Sequence, residues 1–475
     1  MEPVVGRKRW AIQAVVLTIA FMTNVDASIV NIAIPVISEK LNVTTAATTW
    51  VVTVYLLGFT SFILFFGKIA DIVGKRRVFL TGLAVFTAGS LLCGLPLALP
   101  WLLVSRVLQA IGAGISMSST LGITAEVFPE NERGRALGFA GMAVALGNIT
   151  GPTIGGLILS FLDWHYIFLI NVPIGIVALS FGIKLIPNDN KKADSRTKLD
   201  FPGFTAFALS IITLFVALSQ AEVDGFSQPY IPGLIAAAVV LFALFVVRER
   251  RTAFPMLDLS IFRNGLFSLS ILCTFLAYWA ISCSPLILPM YLQDMLGLEP
   301  HVTGFIILAS PLVMVAVAPV SGYLSDKIGA AILTFIGLTI LASSFVMMGL
   351  LLTQSTPIFV IVLLIAFSAF GGGMFTSPNT VMVMSSVPKG KYGIAGSVNT
   401  LVRNAGTTCS VAISSIILYN RISASIGYRV STIVLDRPDT FAYALRWVYL
   451  VTAGICTLGA AMTGIRLFGR KSPHK

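Results

Sequence analysis

Along the chain, apolar residues gather in blocks of about 20, each closed by a short polar or charged stretch and long enough to cross a ~30 Å hydrocarbon layer as a helix. The pattern predicts fourteen spans, at 11–35, 48–67, 78–97, 99–121, 136–160, 165–187, 201–220, 229–247, 265–291, 303–323, 330–352, 356–385, 394–419 and 442–465. The alternating segments of about 10 residues that mark a membrane barrel do not occur. Helices are the other way to satisfy backbone groups in lipid, so the chain is expected to be an all-α membrane protein. An even number of spans puts both termini on one side.

Composition agrees. Of 475 residues, 56% are hydrophobic and 11% charged, with a mean hydropathy of +0.91, where a soluble chain carries about a quarter charged residues. The net charge of +12 would suggest nucleic acid in a soluble protein. Here it orients spans instead. Of 32 Lys and Arg residues, 25 fall in the termini and the loops that share the N-terminal side. Five (Lys40, Arg421, Arg429, Arg437 and, at a span end, Arg446) fall on the other, and Arg106 and Arg403 lie deep inside spans. The expectation is a multi-pass protein of the cell membrane with cytoplasmic termini. Arg7, Lys8 and Arg9 before an apolar run imitate a signal peptide, but the run is too long and no small-residue cleavage site follows, so it is expected to remain as span 1. The five cysteines lie in or beside apolar runs without a CxxC spacing and read as core filler; no metal site is expected.

Charged groups inside spans default to function. Asp26, in "TNVDASIVNIAIP" (23–35), and Arg106 sit ~14 Å and ~10 Å below the outer surface at the rise of a helix, so they share a depth. Two readings stay open. One is a structural ion pair joining spans 1 and 4. The other is a proton site facing the cavity, in which partly dry surroundings raise the carboxyl's proton affinity and the arginine lowers it. The three histidines (165, 301, 474) lie at span ends or in the tail and do not compete as mid-membrane proton carriers. Every other Asp and Glu falls in a loop or at a span end. A dication in a low-dielectric cavity would need two negative partners, so the expected cargo is monocationic or neutral. Weaker cavity candidates are Tyr55, Gln109, Asn148, Asn379, Asn399 and Arg403, each equally readable as an interhelical hydrogen bond. Met and Phe in "GGGMFTSPNTVMVM" suit either an adaptable pocket or a lipid face.

The chain also repeats itself. "GKIADIVG" (67–74) and "GYLSDKIG" (322–329) share one pattern, each after the second span of its half; "FPENERGRA" (128–136) and "VPKGKYGIA" (387–395) share Pro-x4-Gly-x-Ala. Two six-span bundles, 1–187 and 251–475, with a 188–250 linker carrying two inserted spans, explain both offsets. A phosphate loop in "GKIADIVGKR" is excluded: the Gly-to-Gly-Lys spacing is wrong and Arg76 stands where Ser or Thr would bind magnesium. No cofactor is expected, which leaves an ion gradient as the energy source.

These residues resemble the major facilitator superfamily, specifically its fourteen-span drug–proton antiporter branch, over nearly the whole chain. "GKIADIVGKRR" is similar to the superfamily's loop 2–3 signature, "RVLQAIGAG" (106–114) to its helix 4 signature, and "GNITGPTIGG" (147–156) to the helix 5 antiporter motif. "DASIVNIAIP" (26–35), "WHYIFLINVPIG" (164–175) and "FPMLDLSIF" (254–262) resemble segments of the fourteen-span branch. Ala110 departs from the usual Gly, and His165-Tyr166 from a usual Arg-Trp, at positions expected to affect packing. The resemblance implies a major facilitator fold in which spans 1 and 4 line a central cavity. It implies a gating loop of Gly67, Asp71, Gly74 and Arg76, echoed by Asp326, that latches the halves in the outward-facing state. Physically, Gly67 and Gly74 allow a tight turn, and Asp71 can accept from exposed N–H groups at a helix start; plain topogenic charge is the simpler alternative. Asp326, without the basic triplet, is expected to matter less. In helix 5, Gly147, Gly151 and Gly155 line one face, with Pro152 and Gly156 beside it, and the resemblance implies a seal between the halves. A monomeric exporter trading protons for a lipophilic compound is the leading expectation. The alternatives are a dedicated metabolite exporter or symporter on the same fold, and a non-transporting scaffold or receptor, which the duplicated loops and Asp26 argue against.

Overall fold

The computed structural model describes residues 6–188, 199–224, 228–252, 254–427 and 438–469. Much of the loops expected near 188–200 and 420–441, with Arg429, Arg437 and His474, lies outside the described residues. Sixteen α-helices follow in order: α1 Arg7–Lys40, α2 Thr45–Val73, α3 Lys75–Cys93, α4 Leu99–Val127, α5 Glu130–Phe161, α6 Tyr166–Leu169, α7 Asn171–Leu185, α8 Phe201–Asp224, α9 Tyr230–Arg251, α10 Gly265–Met290, α11 Pro300–Ile307, α12 Ala309–Ile328, α13 Ala330–Leu351, α14 Ile358–Ser385, α15 Tyr392–Ile426 and α16 Pro438–Gly469. They make fourteen spans among the described residues, because α6–α7 and α11–α12 each form one broken crossing. The expected spans recur at their expected places, but many of the helices run on past the apolar block. The α1 helix covers Arg7–Lys40 rather than 11–35, since hydropathy sees only the part that needs lipid while backbone hydrogen bonding continues into polar residues.

Helices α1–α7 pack on one another around a core that includes Phe79, Phe86 and Ala113. Helices α10–α16 do the same around Phe345, Leu341 and Tyr449. The Met and Phe residues of the α14 segment face neither a pocket nor lipid: Phe375 and Met384 are fully buried in the packing. The departure at Ala110 is absorbed across the interface, where α2 presents Gly58, whose added Cβ would lie 2.8 Å from the Ala110 Cβ.

The inserted pair α8–α9 is not left standing alone in lipid. Phe207 and Phe245 meet at 5.2 Å between centroids and enter a third core with Phe65 of α2, Ile261 of the following loop and Ile394 of α15. That core lies where α2 of the first group meets α15 of the second.

Candidate transport site

Asp26 and Arg106 are both fully buried, and Arg106 donates through Nη1 to Asp26 Oδ2 at 2.5 Å. The other carboxylate oxygen accepts from Gln109 Nε2 at 2.8 Å and Asn171 Nδ2 at 3.1 Å. Arg106 also donates from Nε to the Val51 carbonyl at 3.0 Å and from Nη1 to Gln109 Oε1 at 2.7 Å. Its guanidinium lies 4.3 Å from the Tyr55 ring centroid. Gln109 further donates to Ser90 Oγ at 2.8 Å. The spacing of Arg106 and Gln109, three residues apart, puts both on one face of α4, and the cluster ties α1, α2, α3, α4 and α7 together. Sequence reasoning missed Asn171, although the polar residue in "FLINVPIG" was the available signal.

The expected depth match of Asp26 and Arg106 holds, but their expected exposure to the cavity does not. Both side chains point into the interior of the first bundle, while Ala20, Met117 and Thr120 of the same two helices face a cavity of about 60 Å³ between the bundles. A buried ion pair needs further hydrogen bonds to offset its desolvation, and those donors are found inside the bundle. Tyr55 and Gln109 therefore belong to the Asp26 cluster and not to the cavity. Asn379 is also buried, donating to the Ser270 carbonyl at 3.0 Å and Thr274 Oγ1 at 2.8 Å. Asn399 and Arg403 do line the cavity, and Asn148 lines a larger cleft of about 700 Å³ with Pro152, Gln293 and Thr303.

The repeated motifs meet crosswise. Asp71, ending α2, accepts from the backbone N–H groups of Gly393 and Ile394 at 2.9 Å each, at the start of α15. Asp326, ending α12, accepts from the N–H groups of Gly134 and Arg135 at 2.8 and 2.9 Å, in the first turns of α5. Each copy of the Asp motif thus holds the Pro-x4-Gly-x-Ala copy of the opposite bundle. At Gly393 and Ile394, the second and third residues of α15, a carboxylate meets donors without an intrahelical partner and the positive end of the dipole. Glycine makes the approach possible, since a Cβ on Gly393 would stand 2.7 Å from Asp71 Oδ1 and from the Gly67 carbonyl. Gly74 and Gly329 follow the two motifs with φ of 116° and 93°, which turns each chain into its next helix.

Asp326 makes the same contact as Asp71, which the loss of the basic triplet had not suggested. The copies differ in support. Lys75, 3% exposed, bridges Asp71 at 3.2 Å and Glu126 at 2.7 Å, and Ala330 occupies the equivalent place after Asp326. Arg76 donates to Asn188 Oδ1 and to the Ile183 carbonyl, at and beyond the end of α7. A further pair braces the start of α15: Lys391 bonds Asp258, in the "FPMLDLSIF" segment. Burial pushes the Asp258 carboxyl up, but bonds from Lys391 and Ser260 outweigh it and hold it down at about 2.

The glycine face of α5 does not meet the other half. Added Cβ atoms on Gly147, Gly151 and Gly155 would lie 2.8 Å from Asn24 Cβ, 1.9 Å from Ser28 Oγ and 2.7 Å from Ile29 Cγ1, all on α1 of the same bundle, and Gly156 faces open space. The close approach to the opposite bundle is made lower on α5 by Gly134 and Gly138, against Gly322 and Ala318 of α12.

A profile of the Major Facilitator Superfamily matches residues 16–250 and 270–475. The riboflavin transporter RibZ of Clostridioides difficile is 33% identical, covering 96% of this chain and 97% of that protein. The multidrug resistance protein Stp of Mycobacterium tuberculosis is 30% identical over 88% of this chain and 77% of its own length. Among solved structures, the proton:xylose symporter XylE superposes with a TM-score of 0.67 at 13% identity, covering 97% of this chain and 95% of that one. The chain belongs to the Major Facilitator Superfamily and is a multi-pass membrane transporter, not an enzyme.

Proposed function

We propose, with membership of that superfamily as the premise, that the protein is a proton-coupled antiporter exporting a lipophilic compound across the cell membrane by alternating access. Its termini lie in the cytoplasm by the basic-residue bias of the loops on their side. The crossed Asp71 and Asp326 contacts then close the cytoplasmic side, and the cleft of about 700 Å³ beside Asn148 belongs to the outer half. The observation that carries the coupling is the Asp26 cluster. Protonating Asp26 removes the counter-charge of Arg106 and weakens the acceptor for Gln109 and Asn171 at once, loosening α1 from α4 and α7. A proton bound there acts on helix packing inside one bundle, without contact between Asp26 and the cargo.

The expected preference for monocations rested on Asp26 as a counter-charge in the cavity. With that carboxylate sealed inside the bundle, this support is gone, and the lipophilic character of the cargo stays. Resemblance to the multidrug resistance protein Stp supports a drug-directed exporter. A second reading, a carrier for one dedicated metabolite, is favoured by the likeness to the riboflavin transporter over almost the full length of both chains. A compound panel in an efflux-deficient host, followed by proteoliposome transport of the hits under an imposed pH difference, tests the coupling. Asp26→Asn should abolish accumulation against the gradient; retained concentrative transport by that variant overturns it.

A further inference from the structure

The geometry points to a binding site for a lipophilic organic anion at mid-membrane, centred on Arg403. The inference rests on the transporter reading above and adds the charge of its cargo. Arg403 lies eleven residues into α15, roughly 17 Å along that helix, and lines the cavity between the bundles. Asn399 shares the wall one turn earlier, Thr376 and Thr380 of α14 add hydroxyls, and the Tyr278 ring centroid is 5.7 Å from the guanidinium.

The electrostatics are one-sided. No acidic residue lines this cavity, and among the described residues no carboxylate pairs with Arg403. Arg106, also deep inside a span, has Asp26 at 2.5 Å. Arg403 is half-buried, and a guanidinium does not shed its proton to escape partial desolvation. A charge left uncompensated in a low-dielectric space is costly, so the site favours whatever brings the missing negative charge and repels a second cation. The planar fork suits a carboxylate or sulfonate, and the Tyr278 ring with Met117, Leu121 and Met314 suits an aromatic body.

The site also lies on a route. Leu137, Gly141 and Val144 of α5 line the Arg403 cavity, and Asn148 and Pro152, next on the same helix face, line the outer cleft. One helix face runs from the lone arginine towards the side opposite the termini. Proton and cargo are then handled by separate groups, Asp26 within the first bundle and Arg403 between the two.

Full-length protein in phosphatidylcholine nanodiscs, tested by equilibrium dialysis against 2-naphthoate, 2-naphthylmethanol and 2-naphthylmethylammonium, isolates charge on one ring system. Wild type should bind the naphthoate about tenfold or more tightly than the ammonium. Arg403→Gln should lose about tenfold for the naphthoate while the alcohol, which also reports intact folding, changes less than about threefold. Arg403→Lys should keep the order of preference. Thr376→Asp, which leaves Arg403 in place but supplies a counter-charge, should raise ammonium affinity above naphthoate affinity. Ammonium binding equal to or tighter than naphthoate binding in wild type, no measurable naphthoate binding, or an unchanged naphthoate affinity in Arg403→Gln overturns the inference. Because the assay is at equilibrium without a gradient, anion selectivity without proton-driven efflux would sink the antiporter reading alone. Proton-driven efflux without selectivity would sink the Arg403 site alone.

Discussion

Asp71 and Gly393 stand 322 positions apart in the chain, and the carboxylate of one accepts the backbone N–H of the other at 2.9 Å. Asp326 and Gly134 repeat the contact at 2.8 Å with the bundles exchanged. Two carboxylates, each on two N–H donors, join the two bundles at one end of the molecule.

Neutralising them should speed opening of that side and lower turnover. A hydrogen bond to a charged group contributes roughly 1.5–3 kcal/mol, so Asp71→Asn should reduce transport about tenfold with little effect on substrate affinity. Asp326→Asn should cost less, because only Asp71 is backed by Lys75 and Glu126. The double variant should be worse than either. Initial transport rates and equilibrium binding, measured side by side, separate the effects; weakened binding at unchanged turnover would remove the latch role.

The glycine opposite each carboxylate should be as sensitive as the carboxylate. A Cβ at Gly393 would stand 2.7 Å from Asp71 Oδ1, so Gly393→Ala should pry α2 from α15 and, on the proposed mechanism, shift the protein away from its outward-open form. Labelling of a cysteine introduced at Thr153, in the cleft beside Asn148, by an impermeant maleimide should fall about threefold or more, the size of a shift below one kcal/mol. Undiminished labelling would show that the seam tolerates the methyl group.

Removing one partner of the buried pair should damage stability more than removing both. Arg106→Gln or Asp26→Leu alone leaves a charge buried without its partner, a loss of about 3–5 kcal/mol. The combination Asp26→Leu/Arg106→Met should recover much of the thermal stability in detergent while remaining uncoupled. A double variant no more stable than the single ones would mean that the cluster's hydrogen bonds, and not its charges, hold the bundle.

Packing of α5 on α1 predicts a rescue. Gly151→Ala should destabilise the first bundle, since its Cβ would lie 1.9 Å from Ser28 Oγ, while Gly156→Ala, facing open space, should be neutral. Adding Ser28→Gly should restore melting temperature and transport in the Gly151→Ala background. If it restores neither, the motif acts through another contact.

The Asp258–Lys391 bridge has a defined pH window. The folded Asp258 carboxyl is held at about 2, below its ordinary 3.8. A depressed carboxyl contributes stability that is complete above the ordinary value and is lost as pH falls through the folded one. The stability difference between wild type and Asp258→Asn should therefore be flat from pH 7 to 5 and shrink between about 4 and 2. A difference that shrinks between pH 7 and 5 instead would place the effect on another group.

By itself, the sequence determined the all-helical architecture, the fourteen crossings and the repeated motifs, because each depends on local quantities. Length in apolar residues decides whether a helix spans lipid, and a repeated Gly and Asp pattern is visible without knowing its partner. It also placed Asp26 and Arg106 at one depth, since depth along a helix is counted in residues. Only the tertiary structure decided direction and partnership. Depth does not say whether a side chain turns to the cavity or into its own bundle, and Asp26 turns inward to Gln109 and Asn171. A glycine stripe shows that some backbone comes close, not which one: Gly147, Gly151 and Gly155 meet α1, while Gly134 and Gly138 meet α12. The crossing of the repeated motifs was equally hidden, because contacts such as Asp71 with Gly393 exist only once two bundles are set against each other. So was the absence, among the described residues, of a carboxylate paired with Arg403: whether an arginine in a span has one beside it is a distance in space, and no spacing along the chain contains it.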